Sequence, residues 1–241
     1  MKPVSSGAGR RVQAVCVHLL TASGAAMGLM ALLAVEAERW REAFLWLFAA
    51  LVGDGVDGML ARRVRVTEVF PRFDGHLVDY VVDYLTYVVV PALLAFRAGL
   101  FPDDFGLAAA IFILLVSTYT YGNLDAKAED SYFLCFPGLW NVLIFYLFIF
   151  DLSPWINLGV VALFGVLTFV PLHFVHPFRI HDLPRLTRAM AVLMIAVGGA
   201  ILVRLPTPSP WLVAASLVPL AYYAGLGLWR SFRPAGEERP R

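Results

Sequence analysis

Cysteine is nearly absent. Cys16 and Cys135 are the only two in 241 residues, each lies in or beside an apolar run, and no CxxC spacing occurs. This excludes a disulfide scaffold and a thiolate metal site, and both residues read as packing thiols. Charge is also sparse, at 15% of residues, and a formal net charge of +1 excludes an electrostatic nucleic-acid binder. There is no internal repeat, and no low-complexity block precedes a short Arg-containing tail. Nor is any polar stretch long enough for a separate soluble domain.

Apolar residues dominate instead. The chain is 60% hydrophobic with a mean hydropathy of +0.73, against roughly 45–50% for soluble domains. A membrane-crossing helix needs about 20 apolar residues. Hydrophobic runs and turn signals predict eight spans at roughly 13–35, 40–63, 76–98, 104–123, 137–152, 155–176, 187–204 and 209–229. The expected fold is an all-α integral membrane protein, a bundle of about eight transmembrane helices forming one domain over residues 1–230. Residues 231–241 read as a disordered basic tail held near anionic headgroups. Lys2, Arg10 and Arg11 before an apolar run imitate a signal peptide, but the run over 13–35 exceeds the usual core of about 7–15 residues and reads as a retained first span.

Lysine and arginine sort by side. Fifteen of the nineteen fall at the two ends of the chain and in alternate loops, leaving Arg39, Arg41, Arg97 and Arg204 opposite them. The positive-inside rule then places both termini, and the C-terminal end of the second span, in the cytoplasm.

Against this background the segment from Asp54 to Tyr87, DGVDGMLARRVRVTEVFPRFDGHLVDYVVDYLTY, is anomalous. It puts Asp54, Asp57, Asp79 and Asp83 in or beside two apolar helical runs. An ionised Asp at the centre of a membrane helix costs about 2.5–3.5 kcal/mol, so four demand a compensating cation. Asp54 and Asp57 are three apart, Asp79 and Asp83 four apart, and each pair lies along one helix face. Facing one another near the cytoplasmic boundary, they would form an oxygen-lined cup for two divalent ions about 3.5–4 Å apart. Hard oxygen ligands select Mg²⁺ or Mn²⁺ over zinc. Gly53, Gly55 and Gly58 clear side chains from the same turn, either for a bulky ligand or for close helix packing.

The order Asp54-x2-Asp57-Gly58-x2-Ala61-Arg62, then Gly75-x3-Asp79-x3-Asp83, resembles the signature of the CDP-alcohol phosphotransferases. These membrane enzymes pass a phosphoalcohol or phosphatidyl group from a CDP donor to a hydroxyl acceptor and release CMP. One departure is visible: twelve residues separate Arg62 from Gly75, where most of the family has about eight, which leaves the register of the two half-motifs open. Within the family, the run from Phe73 to Tyr87, the long insert, Gly138-Leu139-Trp140-Asn141-Val142 and Phe174-Val175-His176-Pro177 resemble the bacterial phosphatidylcholine synthases.

The resemblance implies a fold whose first six helices form the family core, a homodimer, and a bacterial inner-membrane location. It implies metal ligation by Asp54, Asp57, Asp79 and Asp83, with Asp83 also the general base. It implies CDP binding at Gly58, Ala61, Arg62 and Gly75. CDP-diacylglycerol and choline become the expected substrates, serine or inositol the alternative acceptors. A cation transporter with intramembrane carboxylates is the rival from another class, but it predicts acids at mid-membrane and a duplicated segment.

Other residues carry two readings each. Arg62 offers donors to nucleotide oxygens or snorkels as an anchor, whereas Arg63 and Arg65 read as topology charges. His76 is a polar neighbour of the acids or a loop-end residue, and Asp74 reads as an N-cap. Tyr84, Tyr87, Tyr119, Tyr121, Tyr132 and Trp140 could hold a quaternary ammonium or belong to an interfacial belt. Glu129 and Asp130 read as loop charge. His173, His176, Arg179 and His181 form a cluster suited either to a phosphate or to topology.

Overall fold

The computed structural model describes residues 8–71, 73–123, 132–175 and 183–232. Arg72, Lys127, Glu129, Asp130, His176, Arg179, His181 and the tail beyond 232 lie outside them. Among the described residues are eight apolar helices: α1 (Ala8–Glu36), α2 (Trp40–Val64), α3 (Gly75–Arg97), α4 (Gly106–Gly122), α5 (Trp140–Phe150), α6 (Pro154–Leu167), α7 (Pro184–Val203) and α8 (Pro210–Ser231). Five of them, α1, α2, α3, α7 and α8, are long and apolar enough to cross a membrane. The expected all-α multi-pass membrane architecture is what the chain adopts.

Two local features depart from the expected pattern. The span expected over 155–176 ends its helix at Leu167. The chain then turns, and His173–Phe174 (β2) pairs antiparallel with Phe133–Leu134 (β1), a two-residue ladder. The second feature is inside α3. Tyr84–Val89 is wound as a π-helix, in which the Val90 N–H reaches back five residues to the Leu85 carbonyl. Pro91 follows directly. Having no N–H, and with a ring that crowds the carbonyl four residues earlier, it re-registers the hydrogen bonds just upstream.

Helix α1 lies close against α3 because its inner face is small. Gly24 and Gly28 are buried there, and a Cβ would stand 2.5 Å from Val82 Cγ1 at the first and 2.6 Å from Leu85 Cδ2 at the second. Neither position has room for a side chain, and it is this approach that sets α1 beside the acidic ends of α2 and α3. The larger core lies further along, where Trp140, Leu94, Ile113 and Ile144 are fully buried and the Trp140 indole N–H donates to Ser117 Oγ at 2.7 Å. Cys16 and Cys135 are both free thiols, and burial pushes the Cys135 thiol up.

The twelve-residue insert is ordered around one helical turn, Val66–Val69. Arg65 adopts a left-handed conformation (φ 56°) to break from α2, and Val66 buries itself against Ala14 and Val17 of α1, with Val69 and Phe70 packed alongside. Asp74 caps α3, accepting from the backbone N–H groups of His76 at 3.0 Å and Leu77 at 3.2 Å. The extra residues thus form a strap over the start of α1 and leave both acidic helices intact.

Candidate active site

Three helices contribute to one narrow, water-sized cavity. Helix α1 supplies Thr21 and Gly24, α2 supplies Gly53, Asp54 and Asp57, and α3 supplies Asp79, Asp83 and Thr86. Asp54, Asp57 and Asp79 each present a carboxylate oxygen, and these oxygens all lie within 4.8 Å of one another. The register left open by the insert therefore brings the two half-motifs together. Asp83 lines the same cavity one turn further along α3, outside the triad.

Asp54 is held by a neighbouring hydroxyl: Tyr87, 6% exposed, donates to Asp54 Oδ2 at 2.7 Å. Asp57, 4% exposed, lines the cavity beside Thr21 of α1, whose hydroxyl donates to the Val17 carbonyl at 3.3 Å. Tyr87 lies inside the π turn, four positions after Asp83, and its winding sets the phase at which the Tyr87 hydroxyl reaches Asp54.

The glycines divide by role. A Cβ at Gly53 would meet nothing within 4 Å, and one at Gly58 would meet only the Arg62 guanidinium, at 3.5 Å. These two positions leave space in front of the acids; close packing is the business of Gly24 and Gly28. Gly75 is different again, because the His18 ring lies where its side chain would be, with Cε1 3.0 Å from the Cβ position.

The aromatic residues separate in the same way. Tyr121 lies in electrostatic range of Asp83, Asp54 and Asp79, and Tyr80 and Tyr84 meet its ring edge-on at 6.0 and 5.5 Å. The Tyr84 hydroxyl is pinned to the Leu114 carbonyl at 3.0 Å. Trp140 is in the core, Tyr119 stacks near Phe169, and Tyr132 sits by His173 and Arg230 at the foot of α8. His76 is exposed.

Sequence reasoning missed His18, Thr21 and Tyr80. Polar residues three apart on an otherwise apolar first span, at the depth of the acids, were the available signal for the first two.

No model of a known protein family matches the chain. Individual relatives do. The phosphatidylcholine synthase of Pseudomonas aeruginosa is 40% identical over 217 residues, covering 90% of this chain and 91% of the relative. That of Agrobacterium fabrum is 35% identical over 225 residues, covering 93% of each. The Legionella pneumophila enzyme of the same name is 36% identical, covering 90% of this chain and 88% of the relative. The chain belongs to the phosphatidylcholine synthase family. The similarity to these phosphatidylcholine synthases runs through about nine-tenths of the chain, so the acidic cavity falls within the shared region. A lipid-synthesising transferase in a membrane setting accounts for an acidic site built between apolar helices.

Proposed function

We propose that the protein transfers the phosphatidyl group of CDP-diacylglycerol to choline, forming phosphatidylcholine and releasing CMP. The observation that carries this reading is the triad of Asp54, Asp57 and Asp79, drawn from two helices to within 4.8 Å beside the fourth carboxylate of Asp83. The donor set fits Mg²⁺ or Mn²⁺. Three carboxylate oxygens already within 4.8 Å of one another are the hard donor set such an ion takes, and side-chain rotation would bring them onto a shared one. Two such ions, when bound, neutralise the carboxylates and the diphosphate and favour departure of CMP.

The chain's own residues do the rest. Asp83 accepts the choline hydroxyl proton as the oxygen bonds to the phosphorus bearing diacylglycerol and the bond to CMP breaks. Asp54, Asp57 and Asp79 hold the metal, and Tyr87 fixes the first of them. Gly58 and Ala61 leave room for the nucleotide, Gly75 admits the His18 ring beside it, and Arg62 donates to the nucleotide oxygens. An apolar groove running along α2 from Phe44 to Leu51 against α5 and α7 ends three residues short of Asp54 and gives an acyl chain a surface to lie against. The site and both termini face the cytoplasm at the bacterial inner membrane, and the working unit is a homodimer.

The choline headgroup lies against the rings of Tyr80, Tyr84 and Tyr121, with Asp83 adding negative charge. An aromatic face contributes about 0.5–2 kcal/mol to a quaternary ammonium. Tyr121→Leu should accordingly raise the KM for choline about 3- to 30-fold and leave the KM for CDP-diacylglycerol unchanged.

The direct test reconstitutes purified protein with labelled choline, CDP-diacylglycerol and Mn²⁺. Labelled phosphatidylcholine and stoichiometric CMP are expected, both abolished by a chelator and restored by Mn²⁺. Product from labelled serine or inositol in place of choline would move the acceptor assignment. Metal-dependent choline uptake into vesicles without lipid product would replace the enzyme with the transporter.

A further inference from the structure

The strap and the first helix enclose a group that the reaction as described does not use. The Nε2 of His18 is buried and has no hydrogen-bond partner among the described residues. Leaving a buried polar atom in that state is costly, so a partner is expected when the protein works.

The ring is held firmly. Phe73 meets it at 4.3 Å and Phe70 at 6.2 Å between centroids, both at 60°. Its opposite edge rests on Gly75, with Cε1 at 3.0 Å and Nδ1 at 3.4 Å from the Cβ position. Both phenylalanines belong to the insert, which Val66 anchors in a small core of its own with Ala14 and Val17.

Its depth is informative. His18 is three residues before Thr21, which lines the cavity with Asp57, and Gly75 is four before Asp79. At 1.5 Å per residue both lie about 5–6 Å from the triad, on the cytoplasmic side. A diphosphate held at the acids would extend its nucleoside in this direction, past Gly58 and Ala61. The immediate neighbours of His18 are aromatic rings and a glycine backbone, surroundings that suit a flat heterocycle better than a phosphate.

Resting on the reading of the protein as a CDP-diacylglycerol-dependent transferase, we propose that His18 recognises the pyrimidine base of the nucleotide. Its Nε2 hydrogen-bonds the base edge, and the strap residues Phe70 and Phe73 hold its ring in place. An imidazole nitrogen can donate to the ring carbonyl or ring nitrogen of cytosine, or accept from its amino group. In so apolar a setting the bond discriminates strongly, because an unmatched base leaves both groups unsatisfied.

The experiment compares His18→Ala and His18→Gln with wild type, using CMP and inorganic diphosphate as probes. Binding of each is measured by calorimetry in detergent with Mn²⁺ present, and steady-state constants are measured alongside. His18→Ala should weaken CMP binding and raise the KM for CDP-diacylglycerol about tenfold, leaving diphosphate binding and the KM for choline unchanged. His18→Gln, which keeps a donor and an acceptor, should recover part of the loss. Parallel weakening of diphosphate would place His18 on the phosphates and overturn the assignment. Unchanged CMP binding in both variants would make it a packing residue and overturn it equally. The calorimetry does not depend on turnover: if wild type binds CMP but makes no phosphatidylcholine, the reaction assignment fails while the base contact is still decided.

Discussion

Asp83→Asn should lower turnover by about 10²- to 10⁴-fold, the usual contribution of a positioned general base, while CDP-diacylglycerol binding stays within a few-fold of wild type. The argument rests on position. Asp83 shares the cavity with the triad but stands outside it, so its amide leaves the three clustered carboxylates in place. Asparagine matches the size of aspartate and keeps hydrogen-bonding capacity, yet it cannot take a proton from an alcohol. Single-turnover assays in detergent, paired with CMP calorimetry, separate the two effects. A variant that kept full activity would remove Asp83 from the base role, and one that lost Mn²⁺-dependent CMP binding would make it chiefly a ligand.

Asp57→Asn should fail differently. Asp57 is the most enclosed of the three triad residues, in the cavity that Thr21 of α1 also lines. Removing its charge should weaken Mn²⁺ binding by at least about 100-fold, since even residues that merely orient ligands cost 10- to 100-fold. Stability should move the opposite way in a chelator. Three carboxylates within 4.8 Å repel one another without a cation, so the metal-free variant should melt no lower than metal-free wild type. Added Mn²⁺ should raise the melting temperature of wild type, and that rise should disappear in the variant. Thermal unfolding with and without Mn²⁺ reads both signs, and an undiminished metal-induced rise in Asp57→Asn would sink the ligand assignment.

How much of this was legible in the sequence follows from which interactions are local. Hydropathy alone located all eight helices, because each must bury its backbone polar groups internally whatever its neighbours do. Asp74 as an N-cap was equally plain, because capping depends only on the next three residues. The acidic motif could be read as two half-sites. Their register could not, because the anchoring of Val66 on Ala14 and Val17 is a contact between distant segments. His18 looked like any polar residue in an apolar run until the strap closed on it. The aromatic candidates were indistinguishable by type, and only tertiary position separated Tyr121, beside the acids, from Trp140 in the core. The π turn had a visible cause in Pro91, but its effect on Tyr87 is a matter of helical phase that spacing rules for an α-helix do not express.

That winding makes α3 sensitive to what holds it as well as to composition. The π segment fits about one residue more into its turn than an α-helix does, so if the same six residues rewound as ordinary α-helix, as replacement of Pro91 would allow, everything beyond them would turn by about 100° relative to Asp79 and Asp83. Every acid would still be present and every span still hydrophobic. Tyr87 would nonetheless swing away from Asp54, so a substitution remote from the acids could silence the enzyme without altering one of its acids or hydroxyls.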